Sequence, residues 1–265
     1  MSHLWEEKNW PEIKKYLEKN DVAILPVASI EQHSLHSPLS TDSIIAEGVA
    51  KEVGKLTDVL VLPILKVGIS SHHRQFPGSL WVSPITLFNY LKEMIINVAS
   101  HGINKIAIIN GHGGNVATLQ TLALELRQFH DIFVSIFQPW DLPKEKTYEL
   151  KYEERWHAAT EETSQVLFFR PDLINMDKAK DVKLNDNLGG LSFSKIGGWR
   201  PDIRGVFVPL DALDLTETGQ YNIVSTTASK EIGEKLIKPA IEVFVEHIKW
   251  LKKAKIEDLL PKPHK

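Results

Sequence analysis

The stretch VAILPVASIEQHSLHSPLSTD, residues 22–42, joins a short apolar run to a dense polar cluster. Its first eight residues have the continuous apolar character of a strand that is buried on both faces. Two carboxylates and two imidazoles follow at once: Glu31, His33, His36 and Asp42. Pro38 and the serines around it disfavour a helix, so we expect a loop that holds these side chains at the end of the strand.

The rest of the first half alternates strand and helix patterns. Apolar runs predict further strands at DVLVLPIL (58–65), KIAIIN (105–110) and DIFVSIFQPW (131–140). Amphipathic segments predict helices at 9–20, 43–56, 83–102 and 116–129, with Asn9 and Ser83 as N-caps and Thr41 or Asp42 capping the second. This alternation is typical of an α/β protein with a parallel sheet that is covered by helices on both faces.

The second half is less regular. The pattern is irregular over residues 143–225, and residues 185–205 are rich in Gly, Asn and Ser; we predict a long loop region, of the kind that often forms a lid or an interface arm. Residues 229–254 predict a C-terminal helix with Pro239 inside it. We therefore expect residues 1–265 to form a single domain.

The composition argues against several classes of protein. Of 265 residues, 43% are hydrophobic and 25% are charged, which is ordinary for a globular protein. The net charge is −3 and no run of Lys and Arg occurs, so the sequence does not predict a surface that binds nucleic acid. No apolar stretch approaches the roughly 20 residues that span a bilayer. With no cysteine, any metal must be held by His, Asp and Glu. In the absence of a signal peptide we expect a cytoplasmic protein.

Polar side chains follow three of the predicted strands. They are Glu31 and His33 after the first, Ser70, His72 and His73 after the second, and His112 after the third. The carboxyl ends of parallel strands meet at one edge of a sheet, where ligands bind. Glu31 and His33 are two residues apart and point the same way in extended backbone, and Asp42 can return to them from the next helix. We expect these groups to converge.

Glu31, His33, Asp42 and His112 together suit Zn²⁺, Mn²⁺ or Fe²⁺. Two such ions, bridged by a carboxylate, would activate a water molecule and polarise a carbonyl group. The segment WHAATEETS adds His157, Glu161 and Glu162, and a histidine free of metal can serve as a general acid or base. Two simpler interpretations compete: each histidine alone could be a solvated surface residue, and GHGGN alone could bind phosphate at a helix N-terminus. Convergence at three strand ends favours the metal site.

Four segments, in the same order along the chain, resemble the motifs of the creatininase (creatinine amidohydrolase) family. SIEQHSLHSPLSTDSIIA (29–46) resembles G-S-x-E-Q-H-G-P-H-L-P-L-x-T-D, and GISSHHRQFPGSL (68–80) resembles G-x-S-x-E-H-x-x-F-P-G-T. NGHGGN (110–115) is similar to the third motif, and HAATEETS (157–164) resembles H-A-G-x-x-E-T-S. The resemblance implies a three-layer α/β/α fold with a mostly parallel central sheet, two divalent metal ions per chain and a homo-oligomer, often a hexamer.

The resemblance also implies roles for individual residues. Glu31 and His112 would bind one ion, His33 the other, and Asp42 would bridge them. His157 matches the histidine thought to shuttle protons to the leaving nitrogen. Creatininase supplies a further glutamate ligand two residues after the histidine of the third motif, but Gly114 stands there in this chain, and Glu162 is the candidate replacement.

Several positions beside the predicted ligands depart from the family pattern. They are Ser34-Leu35 in place of Gly-Pro, Ser37 in place of Leu, His72 in place of Glu, and Ala159 in place of Gly. Retained ligands with altered neighbours indicate the family's chemistry on a different substrate. The candidate substrate-binding residues are Ser70, His73, Gly113 and Trp156, with Phe76 and Trp199 as further apolar walls.

The leading hypothesis is hydrolysis of a C–N amide bond in a small molecule, either a cyclic amide or a formamide. A metal-activated water would attack the carbonyl carbon, and His157 would protonate the leaving nitrogen. The resemblance also covers deformylation of a pyrimidine intermediate and C–C ring opening of a diketo-inositol; a phosphorylated substrate would need a cation such as Arg74 or Arg204. The third hypothesis is a binding module without catalytic activity. Loss of several metal ligands from the motifs would indicate it.

Overall fold

The computed structural model describes residues 2–192 and 206–260. Its central sheet has three parallel strands in the order β1 (Val22–Val27), β2 (Lys105–Asn110) and β3 (Phe133–Phe137). Val22 pairs with Lys105, and Lys105 pairs with Phe133, so the three strands start in register. The predicted parallel sheet is confirmed, and its strands all end at the edge where the polar clusters follow.

Helices cover both faces of this sheet. The helices of the described residues are α1 (Trp10–Leu17), α2 (Thr41–Thr57), α3 (Pro84–Ser100), α4 (Val116–Phe129), α5 (Thr160–Phe169), α6 (Ala212–Leu215), α7 (Lys230–Lys253) and α8 (Ile256–Leu259). Alternate strand residues face opposite ways. Ile24 and Ile109 pack against α2 and α7, whereas Leu25 and Ile108 pack against α3 and α4. The result is the predicted three-layer α/β/α fold.

Local signals set where several helices begin. The Asn9 side chain accepts a hydrogen bond from the Glu12 N–H, and the Glu12 carboxylate accepts one from the Asn9 N–H, both at 3.1 Å. This reciprocal pair is a capping box. Ser83 caps α3 as predicted. The N-cap of α2 is Ser40 rather than Thr41 or Asp42, which places Asp42 inside the first turn.

The predicted strand at 58–65 is wrong in part. This segment lies beside β1 but pairs with it through isolated bridges, Ile24 with Val61 and Val27 with Leu65. Pro26 and Pro63 explain the interruption, because neither has a backbone N–H to donate to a continuous ladder. The segment still extends the sheet edge toward the polar residues that follow it.

Among its described residues, the predicted loop region contains two helices that the sequence pattern did not indicate, α5 and the one-turn helix α6. Helix α5 occupies Thr160–Phe169, and a short antiparallel hairpin follows it, β4 (Asn187–Leu188) with β5 (Leu191–Ser192). Residues 193–205, which include Trp199 and Arg204, lie outside the described residues. Within the described ranges, no helix combines the length and apolar character that crossing a membrane requires.

Lys105 is buried beneath the C-terminus of α7. Its Nζ donates to the carbonyl oxygens of Leu251 and Ala254, both at 2.9 Å, and lies 2.8 Å from Asp21 Oδ1. A cation is favourable at this end of a helix, where carbonyl groups lack intrahelical partners. The lysine thus fastens α7 to the start of β2.

We expect Lys105→Met to lower the free energy of unfolding by about 2 kcal/mol, because two charge-assisted hydrogen bonds are lost while the volume is kept. Denaturant titration followed by circular dichroism measures this. The matched control is Lys253→Met, an exposed lysine in the last turn of the same helix. An equal effect of the two substitutions would contradict the role given to Lys105.

Candidate metal centre

Five side chains meet at the carboxyl edge of the sheet, and we call them the carboxylate–histidine cluster: Glu31, His33, Asp42, His112 and Glu162. Glu31 and His33 follow β1, Asp42 lies in the first turn of α2, His112 follows β2, and Glu162 lies in the first turn of α5. The first four residues are buried. Buried carboxylates are costly unless a positive charge compensates them, so this arrangement calls for cations.

The first metal-capable group consists of Glu31, Asp42 and His112. His112 Nδ1 lies 3.1 Å from both Glu31 Oε2 and Asp42 Oδ2. Apart from the His112 ring, neither carboxylate oxygen has a hydrogen-bond partner. On the other side of the ring, His112 Nε2 donates to the Ile69 carbonyl oxygen at 2.9 Å. A backbone carbonyl in that position leaves the Nδ1 lone pair free to bind a metal.

The second metal-capable group consists of His33, Asp42 and Glu162. His33 Nε2 lies 3.0 Å from Asp42 Oδ1 and 3.4 Å from Glu162 Oε2. His33 Nδ1 donates to the Glu31 carbonyl oxygen at 3.0 Å, which again turns the other nitrogen toward the carboxylates. Asp42 belongs to both groups, with one oxygen facing each.

Gly114 explains why the creatininase glutamate has no counterpart at this position. A Cβ atom here would lie 2.1 Å from the Ile69 carbonyl oxygen and 2.5 Å from His112 Nε2. These two atoms form the hydrogen bond that orients His112. A side chain at residue 114 would therefore break it, whereas Glu162 approaches the second group from α5.

The charges within the cluster shift the pKa of its members. Burial disfavours the charged forms of His33 and His112, but the facing carboxylates outweigh this effect and raise the pKa of both imidazoles. Burial likewise opposes ionisation of Asp42, yet His33 and His112 lower its pKa to about 2. Burial raises the pKa of Glu31. A proton on an imidazole thus supplies the positive charge that a metal ion would supply.

His157 lies next to the carboxylate–histidine cluster, in contact with two of its carboxylates. Its Nδ1 is 3.5 Å from Glu31 Oε1 and 3.8 Å from Glu162 Oε2. Both neighbours of His157 adopt the left-handed region, Trp156 at φ 80° and Ala158 at φ 56°. Such strain at non-glycine residues is concentrated at functional sites. The Ala158 N–H donates to Glu162 Oε2 at 2.8 Å, so the strained turn holds Glu162 against the cluster.

The predicted substrate-binding residues fall into two sets. His73 is buried, with Nε2 3.3 Å from Glu31 Oε1, and Ser70 is buried with its hydroxyl donating to the Leu80 carbonyl oxygen at 3.1 Å. Gly113 and Trp156 are exposed beside His112 and His157. Arg74 pairs with Asp211 at the surface, so its charge is already compensated. Their role in binding substrate stays a prediction.

The structure brings three further residues to the site. Gln32, inside the first motif, contacts His73 and His157. The Tyr221 hydroxyl lies 3.1 Å from His73 Nε2, and Gly219 lies against the Gln32 amide. Gln32 could have been singled out, because it stands between two predicted ligands. Tyr221 and Gly219 come from the irregular second half and carry no motif.

His36 and His72 are neighbours of the cluster rather than members of it. His36 Nε2 is 2.9 Å from the Thr163 hydroxyl oxygen, which ties the first motif to α5. The His72 ring stacks on His112 with centroids 5.6 Å apart. Burial lowers the pKa of both imidazoles to about 4. Both are therefore neutral at pH 7.

Comparison with known proteins places this geometry in a family. A family model described as creatinine amidohydrolase (Creatininase) matches residues 6–248. The chain belongs to the creatininase family. It is a hydrolase of that family, and the residues at its site fit a divalent metal ion in their ligand types and in the orphaned oxygens of Glu31 and Asp42.

Relatives in the family act on different bonds. Creatinine amidohydrolase of Pseudomonas putida is 28% identical over 66% of this chain and 75% of its own length. A 3-dehydro-scyllo-inosose hydrolase of Thermotoga maritima is 25% identical over 85% of this chain and 77% of its own. A 2-amino-5-formylamino-6-ribosylaminopyrimidin-4(3H)-one 5'-monophosphate deformylase of Methanococcus maripaludis is 26% identical over 87% and 91%.

Solved structures confirm the fold. A putative creatinine amidohydrolase from Bacteroides fragilis aligns with a TM-score of 0.78 at 24% identity, covering 95% of this chain and 97% of that one. A manganese form of creatininase aligns with a TM-score of 0.75 at 23% identity, covering 99% of this chain and 100% of that one.

We expect metal loading to release protons, because the facing carboxylates raise the pKa of His33 and His112 and so favour protonated rings, whose protons ligation must displace. The affinity for Zn²⁺ therefore falls as the pH is lowered. Calorimetric titration in buffers of different ionisation enthalpy measures the released protons. Binding without proton release would contradict the raised pKa values of these imidazoles.

Proposed function

We propose that this chain hydrolyses a C–N amide bond of a small molecule, a cyclic amide or a formamide, at two divalent metal ions per chain. The observation that carries the proposal is the pair of metal-capable groups that share Asp42. Two adjacent groups joined by one carboxylate are the arrangement that dinuclear hydrolases use. Zn²⁺, Mn²⁺ and Fe²⁺ all suit these nitrogen and oxygen ligands.

The two metal-capable groups would each bind one ion. Glu31, Asp42 and His112 would hold one ion, and His33, Asp42 and Glu162 the other. Ions bound there lower the pKa of a water molecule and polarise the substrate carbonyl group. Burial of Glu31, Asp42 and the imidazoles excludes bulk water, which strengthens each electrostatic interaction in the site.

Hydrolysis also requires a proton carrier. The attacking water forms a C–O bond and loses a proton, the C–N bond breaks, and the departing nitrogen gains a proton. Two side chains are candidates for this role, His157 and Glu162, and His157 Nδ1 lies 3.8 Å from Glu162 Oε2. The Glu162 side chain is 25% exposed and can therefore meet a substrate.

We propose that the substrate binds next to His157 and His73, with the exposed residues Trp156 and Gly113 on either side. His72 and Ser34 stand where the family has Glu and Gly, and both lie beside cluster residues. These replacements support a substrate other than creatinine. The homo-oligomer stays a prediction, which analytical ultracentrifugation would test.

A substrate screen on the metal-loaded chain tests the function. The panel contains creatinine, other cyclic amides, formamides and a cyclic diketone. Turnover of an amide that disappears on chelation and returns with Zn²⁺ or Mn²⁺ supports the proposal. Turnover of the diketone alone would favour C–C ring opening. Stoichiometric metal without turnover of any amide or diketone would favour the binding module.

A further inference from the structure

Gln32 is buried behind the cluster, and its amide orientation is fixed at both ends. Its Oε1 accepts a hydrogen bond from the Ser34 backbone N–H at 2.9 Å, and its Nε2 donates to the Gly219 carbonyl oxygen at 3.0 Å. A backbone N–H only donates and a carbonyl oxygen only accepts, so turning the amide round would lose both bonds. The amide group that faces the histidines is therefore a donor.

Two imidazoles share this donor. Gln32 Nε2 lies 2.7 Å from His73 Nδ1 and 3.0 Å from His157 Nε2. One amide hydrogen goes to Gly219, so the second serves both ring nitrogens. An N–H on either ring nitrogen would face another N–H. Each neutral ring therefore carries its hydrogen on the opposite nitrogen, Nε2 of His73 and Nδ1 of His157.

Those opposite nitrogens face the cluster. His73 Nε2 is 3.3 Å and His157 Nδ1 is 3.5 Å from Glu31 Oε1. A nitrogen that carries hydrogen can donate to this carboxylate, but it has no lone pair for a metal ion. His33 and His112 have the reverse arrangement. His33 Nδ1 and His112 Nε2 donate to backbone carbonyl oxygens, so the lone pairs of their other ring nitrogens face the cluster.

We propose that Gln32 is a positioning residue that sorts the four histidines around Glu31 into two metal ligands, His33 and His112, and two hydrogen-bond donors, His73 and His157. The spacing of Glu31, His33 and His157 would also admit a metal ion. The tautomer set by Gln32 removes that third group, because His157 presents N–H rather than a lone pair.

One consequence rests on the proposed function. A neutral imidazole cannot release its N–H proton to an amide nitrogen without becoming an imidazolate. His157, whose N–H faces Glu31, would therefore not supply this proton, and Glu162 would carry it from the attacking water to the leaving nitrogen. The sorting of tautomers itself does not depend on any substrate.

Two features of the structure support the sorting. Gly219 has φ +78°, and a Cβ atom there would lie 2.2 Å from Gln32 Oε1, so glycine lets the backbone carbonyl reach the amide. The Gln32 amide also requires both rings to be neutral, because an imidazolium carries hydrogen on both nitrogens and could not accept a hydrogen bond from Nε2. The neutral ring is the state in which a tautomer is defined.

The test is ¹⁵N NMR of histidine-labelled, zinc-loaded full-length chain, with His73 and His157 assigned by single His→Gln variants. In the wild type we expect hydrogen on Nδ1 of His157 and on Nε2 of His73. Gln32→Glu replaces the donor by an acceptor at the same place, so we expect the hydrogen of His157 to move to Nε2. Gln32→Met removes the donor without adding an acceptor, and we expect both tautomers to be populated.

The results of this test distinguish failure of the proposed role of Gln32 from failure of the proposed hydrolase function. Hydrogen on Nε2 of wild-type His157 would overturn the inference, and so would an unchanged tautomer in a folded Gln32→Glu chain. The wild-type spectrum decides even if the variant does not fold. With a substrate in hand, we expect kcat to fall about 10²-fold in Gln32→Glu with a much smaller change in KM. The expected tautomers in a chain that turns over no amide would defeat the proposed function alone.

Discussion

Asp42→Asn is expected to abolish binding of both proposed metal ions. Asp42 offers Oδ1 to the group that contains His33 and Oδ2 to the group that contains His112, and it is fully buried. Two unit charges about 4 Å apart interact by about 4 kcal/mol at an effective dielectric constant near 20, and a divalent ion interacts with a carboxylate about twice as strongly. Losing the charge therefore costs each ion at least about 10³-fold in affinity. Elemental analysis after gel filtration should show a fall from about two ions per chain to nearly none.

Glu161→Gln is the matched control for this loss. Glu161 is a buried carboxylate close to the cluster, but it accepts a hydrogen bond from the Trp156 N–H at 3.0 Å and belongs to neither group. Burial raises its pKa, and the amide oxygen of glutamine can still accept the hydrogen bond from the Trp156 N–H. The control should keep its metal. One ion retained by Asp42→Asn would show that Asp42 serves a single site and does not bridge.

The fold could be predicted wherever the signal was local. The bounds of β2 and α4 follow from apolar periodicity, and the start of α3 follows from Ser83 and Pro84. Helix α5 was missed because its buried face is mostly polar: Thr160, Glu161, Thr163, Ser164 and Gln165. These polar side chains have polar partners, such as His36 for Thr163 and the Ser229 N–H for Ser164, so hydrophobic periodicity does not reveal the helix. Its N-cap, Ala159, gives no capping signal either.

The site could be predicted where its residues follow strands. Parallel topology alone brings Glu31, His33 and His112 to one edge, and the structure places them there. The contact between Gln32 and Gly219 could not be predicted from the spacing of residues in the sequence. Their contact joins positions 187 residues apart, and its meaning lies in the direction of hydrogen bonds. Tautomers follow from those directions, which only three-dimensional contacts define.

Glu162→Gln is expected to lower turnover by about 10²–10⁴-fold, the range for losing a group that moves a proton in the transition state. The amide oxygen can still accept the hydrogen bond from the Ala158 N–H, so the strained turn around His157 is kept. We also expect metal content to fall from about two ions to one, because Glu31, Asp42 and His112 are intact. Elemental analysis and turnover are measured together, with Glu161→Gln again as control. Full metal content with unchanged turnover would remove Glu162 from both roles.

Adding the creatininase glutamate back should not rescue this variant. In Glu162→Gln combined with Gly114→Glu, the new Cβ atom would meet the Ile69 carbonyl oxygen and His112 Nε2 within 2.5 Å. The hydrogen bond that aims His112 would break, so the ion that Glu162→Gln retains should be lost as well. Gly114→Ala alone should weaken the same site, since the clash begins at Cβ. Recovery of the second ion in the double variant would contradict this expectation. It would show that the turn at residues 113–115 can accommodate a glutamate ligand, and that steric exclusion at residue 114 is not the reason why Glu162 takes its place.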